Sequence, residues 1–306
     1  MQHKFPLLTG LLLLWTCSTA TPALPSQKLE VVASFSIIAD FVREIGGERV
    51  SVTALVGPDS DAHVYEPTPA DVKKVTAAGV IVVNGLGLEG WLNRLLEASG
   101  ARAPVVEASA DITALPSGEQ EGSDDHDHGA LDPHAFQSIS NAMIYVGNIA
   151  VALCRAAPKD CAAFKANAQA YTAKLRALDE EVRTSVEKVP ADKRRIITSH
   201  DAFGYFAHAY GIDFLAPEGV STDAEASAAD VAKLIQQIRR QKASALFVEN
   251  ISDTRLIEQI ARETGFKVSG VLYSDALSGE RGPAPSYIDM MRHNVRIITA
   301  AINRGS

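Results

Sequence analysis

Four side chains in this 306-residue chain have the types and placement to hold a cation. His63 stands in Asp59-Ser60-Asp61-Ala62-His63-Val64-Tyr65-Glu66-Pro67, and His134 in Leu131-Asp132-Pro133-His134-Ala135-Phe136. His200 closes the apolar run Ile196-Ile197-Thr198-Ser199, and Asp275 follows Val271-Leu272-Tyr273. Imidazole nitrogen and carboxylate oxygen are the donors that zinc takes in a four-coordinate, tetrahedral shell. A lone histidine at the end of a strand is more often a hydrogen-bonded structural residue than a ligand. Spacing alone does not separate the two readings. A closed shell of four protein ligands would carry or store the ion, whereas a zinc hydrolase keeps one position open for water.

The elements that must position these groups alternate in type. Strands are predicted at Leu29–Phe35, Val50–Val56, Gly79–Asn84 and Val105–Val106, with helices at Ile37–Ile45, Leu88–Ser99 and from Thr68-Pro69 onward. Thr68 is a capping residue and Pro69 suits a first helical position. The second half repeats the order. It places strands at Arg195–Thr198, Ile212–Leu215, Ala245–Val248 and Val268–Leu272, and helices at Ala202–Tyr210, Ala228–Gln241, Ser252–Thr264 and Pro285–Asn303. Such βαβ alternation predicts an α/β fold of two lobes, each a parallel sheet with flanking helices around its own core. The candidate ligands then fall two to each half, at strand or loop ends where α/β sheets place their ligands.

Between the halves the helical period runs from Ser140 to Leu153 and from Ala162 to about Val186, with Phe164, Ala168, Tyr171, Leu175, Leu178 and Val182 on one stripe. A helix of about 25 residues spans roughly 37 Å. It is either a strut joining two lobes, which would limit their closure, or a long surface helix on one sheet. The organisation read from the sequence is residues 1–23, a lobe over 28–139, a helical linker over 140–188 and a second lobe over 189–306.

Residues 1–23 have the form of a secretory signal: His3 and Lys4, an apolar run from Leu7 to Trp15, then the small residues Ser18-Thr19-Ala20. Cleavage is expected after Ala20 or Ala23, and no later segment is expected to span a membrane. Cys17 stands where a lipid-attachment cysteine would, but Leu14-Trp15-Thr16 are not the small residues that precede one. Cys154 and Cys161 flank a proline turn and are expected to form a disulfide in an oxidising compartment; two free thiols close in sequence are the alternative. Residues 117–130 form an acidic, Gly/Ser-rich loop in which His126 and His128 lie among Asp124, Asp125 and Asp127. Such a tract either holds metal loosely or is simply solvated. The net charge of −8 argues against nucleic acid as a partner.

The blocks Asp61-Ala62-His63-Val64-Tyr65-Glu66-Pro67-Thr68-Pro69-Ala70-Asp71, Asp132-Pro133-His134-Ala135-Phe136, Thr198-Ser199-His200-Asp201-Ala202-Phe203-Gly204-Tyr205-Phe206, Phe247-Val248-Glu249-Asn250 and Leu272-Tyr273-Ser274-Asp275-Ala276-Leu277-Ser278 occur in one order. In them the chain resembles the cluster A-I family of metal-binding proteins that serve zinc and manganese ABC importers, over nearly everything from Leu29 onward. The resemblance implies two lobes joined by one long rigid helix. It implies a metal in the cleft on His63, His134, His200 and Asp275, and no enzymatic activity. His at the third of these positions accompanies zinc preference in the family, and three imidazoles with one carboxylate suit Zn(II) better than oxygen-preferring manganese. Glu249 is a candidate to orient one of the ligands. The implied setting is a periplasmic monomer that serves a membrane permease, with a periplasmic zinc chaperone as a further candidate partner. A manganese carrier of the same fold and an exported zinc hydrolase remain the alternatives.

Overall fold

The computed structural model describes residues 27–117, 131–224, 226–241 and 243–304. Residues 1–23, expected to be an export signal, and the acidic tract with Asp124, Asp125, His126, Asp127 and His128 lie outside them. Two four-stranded parallel sheets make up the frame. The first consists of β1 (Leu29–Phe35), β2 (Val50–Val56), β3 (Val80–Val83) and β4 (Val105–Glu107), in the order β2-β1-β3-β4. The second consists of β5 (Arg195–Ile197), β6 (Asp213–Leu215), β7 (Ala245–Glu249) and β8 (Val268–Leu272), in the order β6-β5-β7-β8. The chain therefore lays down strands in the same sequence in both halves. In each it reverses direction across the sheet beside its first strand, which opens a crevice at the carboxyl ends of β1/β3 and of β5/β7.

Helices α1 (Ser36–Gly46), α2 (Pro69–Ala77) and α3 (Leu92–Ser99) serve the first sheet. Helices α6 (Gly204–Tyr210), α7 (Ala228–Gln241), α8 (Thr254–Thr264) and α9 (Tyr287–Arg304) serve the second. α2 begins as its sequence predicts: Pro69 occupies the first turn, and the carboxylate of Asp71 accepts the Thr68 N–H at 2.8 Å. The helix expected from Leu88 starts at Leu92 instead, because the turn before it is used to bring Glu89 back onto the amides of Asn84 and Gly85.

Two helices lie between the sheets, α4 (Ile139–Ala156) and α5 (Cys161–Glu187), tied end to end by the Cys154–Cys161 disulfide. α5 has 27 residues, about 40 Å of helix, and joins the lobes. Its buried stripe, Phe164, Tyr171, Leu175, Leu178, Val182 and Val186, packs on α1 and α4 at one end and on α6 and α9 at the other. α4 departs from expectation. It is long and apolar enough to cross a bilayer, where no segment after residue 23 is expected to be. Here Ile139, Ala142, Tyr145, Val146, Ile149 and Leu153 are instead buried against α1, α5 and the first sheet.

The cores also differ from the expectation of one per lobe. A single apolar cluster runs from Phe35 and Phe41 through Phe136 and Tyr171 to Phe247, Leu272 and Tyr287, and so spans both sheets. A smaller cluster of Ile197, Val231, Leu234, Ile257 and Ile260 covers the other face of the second sheet. The cause is that α5 and α9 bury their apolar faces across the boundary instead of within one half. Tyr287 shows this: its N–H donates to Asp40 of α1 at 2.9 Å, and its hydroxyl donates to the Phe136 carbonyl at 2.7 Å.

Candidate metal centre

His63, His200 and Asp275 sit on loops that leave strands and His134 opens a helical turn, each on a segment pinned by a buried neighbour. His63 lies on the loop leaving β2, where the indole N–H of buried Trp91 donates to the Ala62 carbonyl at 2.8 Å. His134 opens a short 3₁₀ turn, Ala135–Gln137. The carbonyl before it, that of Pro133, accepts from the Asn84 amide at 2.9 Å, and Asn84 is itself held by the Tyr145 hydroxyl at 2.6 Å. His200 follows β5 and Asp275 follows β8. Asn294 of α9 clamps Tyr273 through both its N–H and its carbonyl, and the Gln137 amide donates to the Ser274 carbonyl at 2.6 Å. The Asp275 loop is thus gripped from both halves.

The four side chains converge. One donor atom from each of His63, His134, His200 and Asp275 lies within 4.8 Å of the other three. Nε2 of His63 is 3.3 Å from Nε2 of His134 and 3.3 Å from Oδ2 of Asp275. Nε2 of His134 is 3.4 Å from Oδ1 of Asp275, and Nε2 of His200 is 3.0 Å from its Oδ2. A tetrahedron of bonds near 2.0–2.1 Å has edges of about 3.3–3.4 Å, so these separations suit one small cation at the centre. His134, His200 and Asp275 are fully buried and His63 is 7% exposed. Oδ1 of Asp275 has no hydrogen-bond partner among the described residues, a cost that a cation would remove.

Two further carboxylates fix the ring orientations. Asp132 Oδ1 accepts both the backbone N–H of His134 at 2.9 Å and its Nδ1–H at 2.8 Å. Glu249, at the end of β7, accepts the N–H groups of Ser199 and His200 through Oε1 at 2.8 and 3.0 Å, and its Oε2 stands 2.6 Å from Nδ1 of His200. Nδ1 of His134 is thereby hydrogen-bonded and that of His200 stands against the Glu249 carboxylate, and the ε nitrogens face the centre. The structure therefore sets Glu249, a candidate on sequence grounds, against His200 across the β5/β7 crevice. Asp132 was not singled out from the sequence, although a signal existed. Asp61 and Asp132 each lie two residues before a histidine, and each accepts that histidine's backbone N–H, at 2.8 and 2.9 Å, the short-range turn that Asp favours. Room for Asp132 depends on Gly204 of α6, where a Cβ would lie 2.5 Å from Oδ2.

The charges are strongly coupled. Burial pulls the His134 imidazole down, but Asp275 and Asp132 outweigh it and carry the group up to about 9. Burial likewise opposes charge on His200, yet Glu249 and Asp275 hold it well above the ordinary histidine range. Asp275 resists the upward push of burial and lies well below the usual carboxylate range because His134 and His200 face it. A cation at the centre would displace the ε protons and take over their role toward Asp275.

Facing sheets with buried donors at their strand ends, braced by a shared helix, define a two-lobed solute-binding protein, and the chemistry of the donors makes the solute a metal ion. The comparisons with known proteins agree. A family model described as the zinc-uptake complex component A, periplasmic (ZnuA), matches residues 31–301. The chain is 36% identical over 278 residues to the manganese-binding lipoprotein MntA of Halalkalibacterium halodurans, covering 91% of this chain and 90% of that one. It is 36% identical over 277 residues to the iron-binding protein YfeA of Yersinia pestis, covering 90% and 87% respectively. Among solved structures, the periplasmic zinc-binding protein TroA from Treponema pallidum superposes with a TM-score of 0.82 at 31% identity, over 90% of this chain and 99% of that chain. The chain belongs to the ZnuA family, the metal-binding components of ABC importers.

Proposed function

We propose that this protein captures Zn(II) in the periplasm with His63, His134, His200 and Asp275 and delivers it to the membrane permease of an ABC importer. The observation that carries the reading is the convergence of one donor atom from each of the four residues to within 4.8 Å of the others, with His63–His134 at 3.3 Å and the three His–Asp275 separations at 3.0–3.4 Å, close to the edges of a zinc-sized tetrahedron, about 3.3–3.4 Å. Three imidazoles and one carboxylate form a nitrogen-rich set that favours zinc over manganese. The reading assigns no catalytic role. The carboxylates hydrogen-bonded to the ligands, Asp132 and Glu249, are occupied in holding imidazoles, so neither is placed to activate a water, as a zinc hydrolase would need.

One observation favours a second cargo. Both oxygens of Asp275 face histidines, Oδ2 toward His63 and His200 and Oδ1 toward His134. A bidentate carboxylate would raise the shell to five donors, which suits manganese or iron, the metals for which MntA and YfeA are named. Elemental analysis of protein purified without added metal, followed by competition between Zn(II), Mn(II) and Fe(II), separates the two. Zinc near one equivalent in the parent, and much less in His200→Ala, is the expected result; manganese or iron outcompeting zinc would overturn the zinc assignment.

The remaining assignments complete this reading. Residues 1–23 direct export, and the mature chain divides into lobes 28–139 and 189–306 around the linker 140–188. The protein acts as a monomer, with the His- and Asp-bearing tract 117–130 collecting metal and a periplasmic zinc chaperone as a source of the ion. Since MntA is named a lipoprotein, the intact mass of the mature protein is the deciding measurement at the N-terminus. Cleavage after Ala20 or Ala23 removes Cys17, whereas lipidation leaves it at the new N-terminus with an added diacylglycerol.

A further inference from the structure

The contacts between the two halves divide into two sets. The buried set includes Gln137 to the Ser274 carbonyl, the Leu277 N–H to the Ser36 hydroxyl at 2.9 Å, and Tyr287 to both Asp40 and Phe136. The second set lies at the rim and involves only the loop that carries His63. There the Asp61 carboxylate spans the boundary. Its Oδ1 accepts the backbone N–H of His63 at 2.8 Å, and its Oδ2 accepts the hydroxyl of Thr222, from the second half, at 2.6 Å. Two residues earlier, exposed Asp59 makes three bonds in the same direction. Its N–H donates to the Leu277 carbonyl at 2.9 Å, its Oδ1 accepts from the Asn250 amide at 3.1 Å, and its Oδ2 accepts from the Gly279 N–H at 3.3 Å. Asp59 adopts φ +51°, a left-handed conformation uncommon for non-glycine residues, though Asp tolerates it better than most.

We propose that Thr222 and Asp59 are positioning residues for His63, forming a rim clasp that holds the 57–63 loop over the centre and sets how long the metal stays bound. This rests on the assignment of His63 as a ligand. The physical argument is one of unequal cost. Breaking the buried contacts would strand polar groups inside the protein, whereas each rim bond can exchange with water, so that its loss costs the modest net worth of one hydrogen bond. Of the four ligands, His63 alone retains measurable exposure and sits on a segment whose cross-lobe attachments lie at the surface. His134, His200 and Asp275 are backed by the shared core. Loss of the ion therefore begins with withdrawal of the His63 loop, while the other three ligands and both sheets stay in place.

The test is metal release measured by stopped-flow mixing of zinc-loaded protein with excess chelator. The variants are Thr222→Val, Thr222→Ser and Asp59→Gly. Valine keeps the shape of Thr222 without its hydroxyl, serine restores the hydroxyl, and glycine relieves the backbone strain while removing the carboxylate. Thr222→Val and Asp59→Gly are each expected to release zinc about ten times faster than the parent, the scale of one lost hydrogen bond. Thr222→Ser is expected to match the parent, with association rates and metal-free melting temperatures little altered. Release rates within twofold of the parent in both variants overturn the clasp while leaving the metal site standing. So does a fall in metal-free stability with unchanged release, which would mark the contact as merely structural. A parent that takes up no metal overturns the functional reading and the clasp with it.

Discussion

Acid should weaken metal binding over a higher pH range than ordinary histidines would allow. In the metal-free protein, Nδ1 of His134 faces Asp132 and Nδ1 of His200 faces Glu249, while both ε nitrogens face Asp275. His134 titrates near 9 and His200 lies well above its usual range, so both imidazoles are charged at neutral pH. Binding then expels about two protons, and the apparent association constant should rise about 100-fold per pH unit through neutrality. Histidines at their ordinary value near 6.5 would be almost fully neutral above pH 7.5 and would give a nearly flat profile there. Competition with a chelator of known protonation between pH 6.5 and 8.5 measures the slope. Calorimetry in buffers of different ionisation enthalpy counts the protons independently. Fewer than half a proton released per ion at pH 7.5 would refute the account of a charged, carboxylate-held site.

Three further outcomes are expected. Asp132→Asn removes the negative partner of His134 but keeps an acceptor, and should weaken metal binding about 10- to 100-fold at pH 7.5 with little change in fold, as read by titration and circular dichroism. Asp40 is buried, and burial, only partly offset by the Tyr287 N–H, raises its carboxyl to about 6. A raised carboxyl favours the folded state below the unfolded value of 3.8, and that contribution disappears as pH rises through 6. Asp40→Asn should therefore raise metal-free stability by up to about 3 kcal/mol above pH 7 and by almost nothing near pH 3.5, as measured by denaturant unfolding. Opening the Cys154–Cys161 bridge with Cys154→Ser/Cys161→Ser closes no loop in the unfolded chain and should cost about 2 kcal/mol. Metal affinity should hold, because none of the four ligands lies on the α4–α5 hairpin that the bridge closes.

Much of the fold was legible because its signals are local. The continuous apolar run of β3, the Thr68-Pro69 start of α2 and the stripe along α5 each depend on residues within a few turns of one another. The order βαβ then leaves few parallel arrangements. The ligand histidines were legible from the short motifs around them, His200 also because it closes the apolar run of β5. What reached beyond the sequence was every property that depends on residues far apart in the chain. α4 could be judged membrane-like or buried only once α1 and α5 were seen to cover it. A core shared between the lobes, instead of one confined to each, follows from where α5 and α9 lay their apolar faces.

At the site, the sequence alone determined the donor types and that they fall on strand or loop ends, because residue identity and short-range periodicity settle both. Convergence of four donors to within 4.8 Å was decided by tertiary structure. So were the pairing of Glu249 with His200 and the charges that the buried pairs stabilise. Distances and desolvation arise from strands and lobes brought together across long stretches of chain, 71 residues between His63 and His134, 75 between His200 and Asp275 and 49 between His200 and Glu249; only the Asp132–His134 turn is local.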